Sequence, residues 1–241
     1  MESNTPARLI FLWCVPRSLS TAFEKMMAHS NQFTVIGEPF IDVYKNSLIS
    51  KSHFQDSLKH FSQIYGDLMN QSHQQPVFVK DMGYHAEPFI TDQQIRSARH
   101  TFLIRAPQFS IPSLYKMRPE FTEDQPGFEG QLKMFQKVVE VTGNTPYVID
   151  AEELKTRASE VVADYFRWIE HPLPTDVLNW PKGSRNDWKG RESWHTDAIN
   201  SQGFEAREGS KVLPSMPPKV ANSVKRNTSF YETLLKHVTL K

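Results

Sequence analysis

RLIFLWCVPRSLSTAFEKMM, Arg8 to Met27, is the stretch whose reading decides the fold. Residues 8–15 read as a buried strand, unbroken in apolar side chains from Leu9 on. The run ends in Pro16-Arg17-Ser18-Leu19-Ser20-Thr21, and a helical pattern follows over residues 20–29. A strand, a hydroxyl-rich turn and a helix in this order make an anion cradle. The helix start offers unpaired backbone N–H groups and the positive end of the dipole. Ser18, Ser20 and Thr21 add hydroxyl donors, and Arg17 adds a planar fork that matches phosphate oxygens. The plainer alternative is that Ser20 or Thr21 only caps the helix. The pattern GxxxxGK[ST] is absent, which argues against a P-loop kinase or ATPase.

Outward from this stretch, apolar runs and helical patterns alternate. FTVIGEPF (33–40) is a short apolar run ending at Glu38-Pro39, and Pro39 prevents a helix from running smoothly through that point. Residues 41–73 read as mostly helical. VFVKDM (77–82) is a strand with Lys80 and Asp81 at its end, and HTFLIRAP (100–107) is another that ends at Arg105. A helix over 108–118, a loop over 119–130 and a helix over 130–142 follow. Then come a strand over 146–154, a helix over 158–170, a long irregular segment over about 171–218 and a C-terminal helix over 219–238. The alternation predicts one α/β domain across residues 1–241, a mainly parallel sheet flanked by helices. Ligands of such sheets bind beyond the carboxyl ends of the strands. Arg17 and Ser18, Glu38, Lys80 and Asp81, Arg105 and Asp150 all fall there.

Composition narrows the function further. The chain has 241 residues, 39% hydrophobic and 12% aromatic, which suits one compact domain. The formal net charge of +1 gives no reason to expect a nucleic-acid partner, so any anion site is local. Cys14 is the single cysteine and lies in the first apolar run, where a free thiol is buried and inert. There is no metal-ligand spacing of the HxH or HExxH kind, and no metal is expected. Asp150, Glu152 and Glu153 read as helix-start and loop charges. Residues 1–7 are polar, and no apolar run approaches the roughly 20 residues that span a bilayer. The expectation is a cytoplasmic protein with no membrane partner.

Three motifs carry a family resemblance. PRSLST resembles the P-[KR]-S-G-[ST]-T loop of the sulfotransferases. Arg105-Ala106-Pro107 and Ser113 resemble their R-[DN]-P-x5-S signature, in order and at the family's separation. Pro181-Lys182-Gly183-Ser184-Arg185-Asn186-Asp187-Trp188-Lys189-Gly190 is similar to their C-terminal nucleotide loop. The resemblance implies a P-loop-like fold and the donor PAPS (3′-phosphoadenylyl sulfate), which leaves as PAP, without a metal. It implies that Arg17, Ser18, Leu19, Ser20 and Thr21 hold the 5′-phosphosulfate and that Arg105 and Ser113 hold the 3′-phosphate. Lys182, Gly183 and Lys189 would close over the nucleotide. The chain departs from the family at four places. Leu19 stands for a glycine, at a position where a side chain does not comfortably take positive φ. Arg17 stands for the lysine of cytosolic members, Ala22 for their adenine-stacking tryptophan, and Ala106 for an acid or amide. A dimerisation motif is not found, and the oligomeric state stays open.

The expected reaction is transfer of a sulfuryl group from PAPS to a hydroxyl or amine of a small-molecule acceptor. Glu38 is the expected general base: a carboxylate at an apolar strand end is expected to have a raised pKa. His85, just past the strand 77–82, is its competitor. Lys80 either assists the sulfonate oxygens or pairs with Asp81. Trp180, Trp188 and Trp194 either line the acceptor pocket or pack the irregular segment. The acceptor site is expected from residues 40–75, 119–130 and 190–210. Two alternatives stand beside this one: a PAP-binding protein without catalysis, and a nucleotide-dependent phosphotransferase.

Overall fold

The computed structural model describes residues 8–190, 192–204 and 216–240. Five strands form one sheet: β1 (Leu9–Cys14), β2 (Thr34–Gly37), β3 (Val77–Met82), β4 (Arg99–Ile104) and β5 (Tyr147–Asp150). Their order is β2-β3-β1-β4-β5, and every pairing is parallel. The run at Leu9–Cys14 is continuously apolar because β1 is the central strand and buried throughout. Its side chains alternate between two cores. Leu9, Phe11 and Trp13 enter one, with Phe61, Tyr65 and Met134. Ile10, Leu12 and Cys14 enter the other, with Phe23, Met26 and Tyr165.

Helices cover both faces. In chain order they are α1 (Ser20–His29), α2 (Ile41–Ser47), α3 (Lys51–Gln74), α4 (Gly83–Ala86), α5 (Asp92–Arg96) and α6 (Pro107–Met117). Next come α7 (Phe128–Thr142), α8 (Ala151–Thr156), α9 (Ala158–Trp168), α10 (Glu192–Asn200) and α11 (Pro218–Leu235). No helix among the described residues is long and apolar enough to cross a membrane.

Two expectations are corrected. The strand expected over 146–154 ends at Asp150, whose side chain accepts from the Glu152 N–H and caps α8. Glu152 and Glu153 then sit in a first helical turn, where the dipole favours acids. The segment 171–218 is also more ordered than its composition suggests. It holds a 3-10 turn at Asn186–Trp188 and the whole of α10. Residues 205–215 of that segment lie outside the described residues.

Candidate active site

The strand ends and α10 enclose a cavity of about 870 Å³. Its floor is the turn between β1 and α1. Arg17 and Leu19 both adopt positive φ, 61° and 70°. Leu19 thus takes the conformation its side chain was expected to resist. The reason is packing: the leucine also lies against the Phe23 and Cys14 core. That contact offsets the roughly 1–2 kcal/mol a left-handed residue gives up. Leu19 is the N-cap of α1 and supplies no side-chain cap. The first-turn amides of Ser20, Thr21 and Ala22 have no partner within the helix, and all three residues line the cavity. Ser18 is a correction: its fully buried hydroxyl donates to the Val15 carbonyl (2.7 Å) and is spent inside the turn.

Arg17 and the second motif converge. The Arg17 Nε donates to Ser113 Oγ (3.0 Å), and the Arg105 Nη1 donates to the Arg17 carbonyl (2.7 Å). The remaining arms of Arg17 reach α10, at the Trp194 carbonyl (3.1 Å) and the Asp197 carboxylate (3.2 Å). Ser113 comes from α6, whose Pro107 suits the first helical turn.

Glu38 and His85, the two candidate bases, line the cavity as well. Glu38 follows β2 with φ 51°. Its carboxylate accepts from Lys80 Nζ at 2.5 Å. The expected raised pKa is corrected. Burial alone would raise it, but the Lys80 ammonium, with help from His85 and His195, holds it down to about 2. Lys80 is buried between Glu38 and Glu24 (3.3 Å), away from the cavity wall and not paired with Asp81. Asp81 points to the other face. It accepts from the Phe40 N–H (2.8 Å), the Met82 N–H (2.7 Å) and His85 Nδ1 (2.7 Å). One buried carboxylate therefore fixes both the turn after Glu38 and the His85 ring. The ring is flanked by Tyr44 and Tyr84. Because Nδ1 is held by an acceptor, Nε2 is left for the cavity that His85 lines. Cys14 is buried and its thiol is pushed up to about 12 by desolvation, so it is inert.

Of the expected nucleotide loop, residues 181–190, Gly190 alone lines the cavity. Lys182, Gly183 and Lys189 are exposed and outside the cavity lining. The segment is turned inward by other residues: Trp188 Nε1 donates to Glu24 (3.0 Å), and Arg185 donates to the Val35 carbonyl (3.0 Å). Of the three tryptophans, Trp180 and Trp188 are buried and Trp194 lines the cavity. The expected acceptor segments do contribute, through Ile41, Lys45, Gln125 and α10. Sequence reasoning missed Asp81 as the partner of His85, although their i,i+4 spacing was visible. It also missed Lys25, which donates to the Ala198 carbonyl (2.9 Å) and holds the end of α10 against α1. Lys155 and His195 line the cavity without any motif to mark them.

A family model described as a sulfotransferase domain matches residues 8–235. The chain belongs to the sulfotransferase domain family. Two solved sulfotransferase domains share its fold. The domain from the curacin biosynthetic pathway aligns with TM-score 0.55 at 16% identity, over 94% of this chain and 98% of its own. The domain from the Synechococcus PCC 7002 olefin synthase aligns with TM-score 0.54 at 15% identity, over 98% and 97%. Curated relatives in Arabidopsis thaliana are the branched-chain-amino-acid aminotransferase-like proteins 2 and 1. They are 23% and 24% identical over 82% and 95% of the chain. This sulfotransferase domain spans only 36% and 42% of their lengths.

Proposed function

We propose that the protein transfers a sulfuryl group from PAPS to a hydroxyl or amine of a small molecule. The observation that carries this reading is the convergence of Arg17, Arg105, Ser113 and the first amides of α1 on the cavity that His85 and Glu38 also line. Its volume of about 870 Å³ falls in the upper part of the range of roughly 300–1,000 Å³ for ligand sites. Bound there, PAPS supplies the sulfuryl group. In the transfer, an acceptor oxygen or nitrogen bonds to sulfur as the bond from sulfur to the 5′-phosphate oxygen breaks. The acceptor's proton goes to His85 Nε2, with Asp81 holding the ring. Glu38, kept ionised by Lys80, balances the imidazolium. A carboxylate with a pKa near 2 is a weak base, which favours the histidine for this step. Arg17 and the amides at the start of α1 neutralise the departing phosphate.

The test starts with binding. In a thermal-shift comparison of PAP, ATP with Mg2+, and buffer, PAP raises the Tm of the wild type and Arg105→Ala loses the rise. A rise with ATP and Mg2+ but none with PAP would overturn the PAPS reading. Release of PAP from PAPS is then followed across a panel of alcohols, phenols and amines. His85→Asn keeps the PAP shift and loses about 10²–10⁴ in turnover, whereas Glu38→Gln loses less. The reverse order would return the base to Glu38. PAP binding with no release across the panel would mean that the domain binds the nucleotide without using it.

A further inference from the structure

The wall of the cavity at β4 and β5 carries a cation that no motif marks. Ile104 and Asp150 are register partners in the parallel pair. The residues after them therefore emerge side by side: Arg105 from β4 and the first turn of α8 from β5. Glu152 of that turn lies between two cations. Its Oε1 is 2.8 Å from Lys155 Nζ and 3.5 Å from Arg105 Nε. Both cations sit over the Phe109 ring, Arg105 at 5.8 Å and Lys155 at 6.0 Å from its centroid. The side chain of Lys155 is only 9% exposed, yet the residue lines the cavity. Its position is fixed from behind. Asp150 caps α8, and the Tyr231 hydroxyl of α11 donates to the other Asp150 oxygen (3.0 Å).

We propose that Lys155 is the second cation of the donor's 3′-phosphate site, beside Arg105, a site to which the sequence resemblance assigned Arg105 and Ser113. This rests on the PAPS reading above. A guanidinium fork and an ammonium on one wall suit a phosphate dianion, the fork fixing two oxygens and the ammonium acting as a point charge. Glu152 keeps the two cations together when no phosphate is there. Its side chain is 37% exposed, so it has solvent to turn into when a phosphate oxygen takes its place. Lys182, Gly183 and Lys189 are exposed and off the cavity wall, and the segment's inward contacts go to Glu24 and Val35 instead.

The experiment compares PAP with AMP, which lacks the 3′-phosphate, by calorimetric titration of the full chain. For Lys155→Met, which keeps the apolar stem over Phe109, the Kd for PAP rises about tenfold or more and the Kd for AMP does not change. Glu152→Gln has the opposite sign, tightening PAP but not AMP, and serves alone if the lysine variant does not fold. Lys182→Ala leaves both constants where they are. Equal losses of PAP and AMP binding in Lys155→Met, or no loss of either, would overturn the assignment. So would a loss specific to PAP in Lys182→Ala. If the wild type does not bind PAP at all, the PAPS reading falls and this inference falls with it. Failure of the variants against a wild type that binds PAP sinks only the inference.

Discussion

Leu19 holds φ 70° and ψ 9° at the start of α1, a conformation in which glycine gives up nothing and leucine about 1–2 kcal/mol. The side chain offsets this by packing on the core beside Phe23. The two effects are of similar size and opposite sign in a Leu19→Gly variant. Its Tm should therefore stay within a few degrees of the wild type, and its PAP shift should persist. Leu19→Val is different. A β-branched residue fits the left-handed region poorly, so the turn should open and the PAP shift should vanish. Thermal-shift curves of the three proteins with and without PAP decide it. A valine variant that binds PAP normally would show that the cradle does not depend on this turn. The motif told where the turn is but not how leucine survives in it, because that depends on contacts from residues distant in the chain. Ser18 shows the same limit. Its place in the motif marks it as a ligand donor, yet its hydroxyl turns back to Val15.

At the scale of elements, strands and helices were legible wherever burial wrote a period into the sequence. β1 is an apolar run, β3 and β4 hold shorter ones at Val77–Val79 and Phe102–Ile104, and α1, α3 and α7 present apolar stripes. The segment 171–218 has no such period. Its described residues are held by Val177, Trp180 and Phe204 in the core beside Phe23 and by polar contacts to other elements: Trp188 and Arg185 to Glu24, Lys25 to the carbonyls ending α10, and Arg17 to Asp197. Glu24 is also where the main buried ion set meets. Lys80 bridges Glu24 of α1 and Glu38 after β2, and the side chains of Lys80 and Glu24 are each 1% exposed. Lys80→Met takes the ammonium from both carboxylates, leaving Glu24 only Trp188 and Arg185, and should cost about 3–5 kcal/mol, the scale for a buried ion pair that loses one partner. Adding Glu24→Gln removes one of those charges, so the double variant should be more stable than Lys80→Met alone. Urea midpoints of the wild type, both single variants and the double variant test this. Losses that simply add would mean that the three side chains do not act as one set.

The whole molecule should answer to acid in steps set by its buried groups. His100 is enclosed between β1 and α5, with Nδ1 accepting from Trp13 Nε1 (2.9 Å) and Nε2 donating to the Ile95 carbonyl (3.0 Å). Burial pushes its pKa down to about 4. In the unfolded chain a histidine titrates near about 6.5. Between those values the unfolded chain holds a proton that the folded protein lacks, so stability falls as the pH drops from about 6.5 to about 4 and no further below that. Glu38 adds a second fall. Its folded pKa of about 2 lies below the unfolded value of about 4.3, so its contribution is present above pH 4.3 and lost toward pH 2. Asp150, raised by burial, works the other way and takes up its proton in the folded state first. The first step can be isolated. In His100→Gln the amide oxygen can accept from Trp13 and the amide nitrogen can donate to Ile95, and the side chain has no proton to gain. Unfolding free energies from urea titrations at pH 7, 5.5 and 4.5 should therefore fall less with acid in the variant than in the wild type. The two slopes should then become parallel below pH 4, where only the carboxylates titrate. An unchanged slope between pH 7 and 4.5 would show that His100 is not the group whose protonation opens the fold.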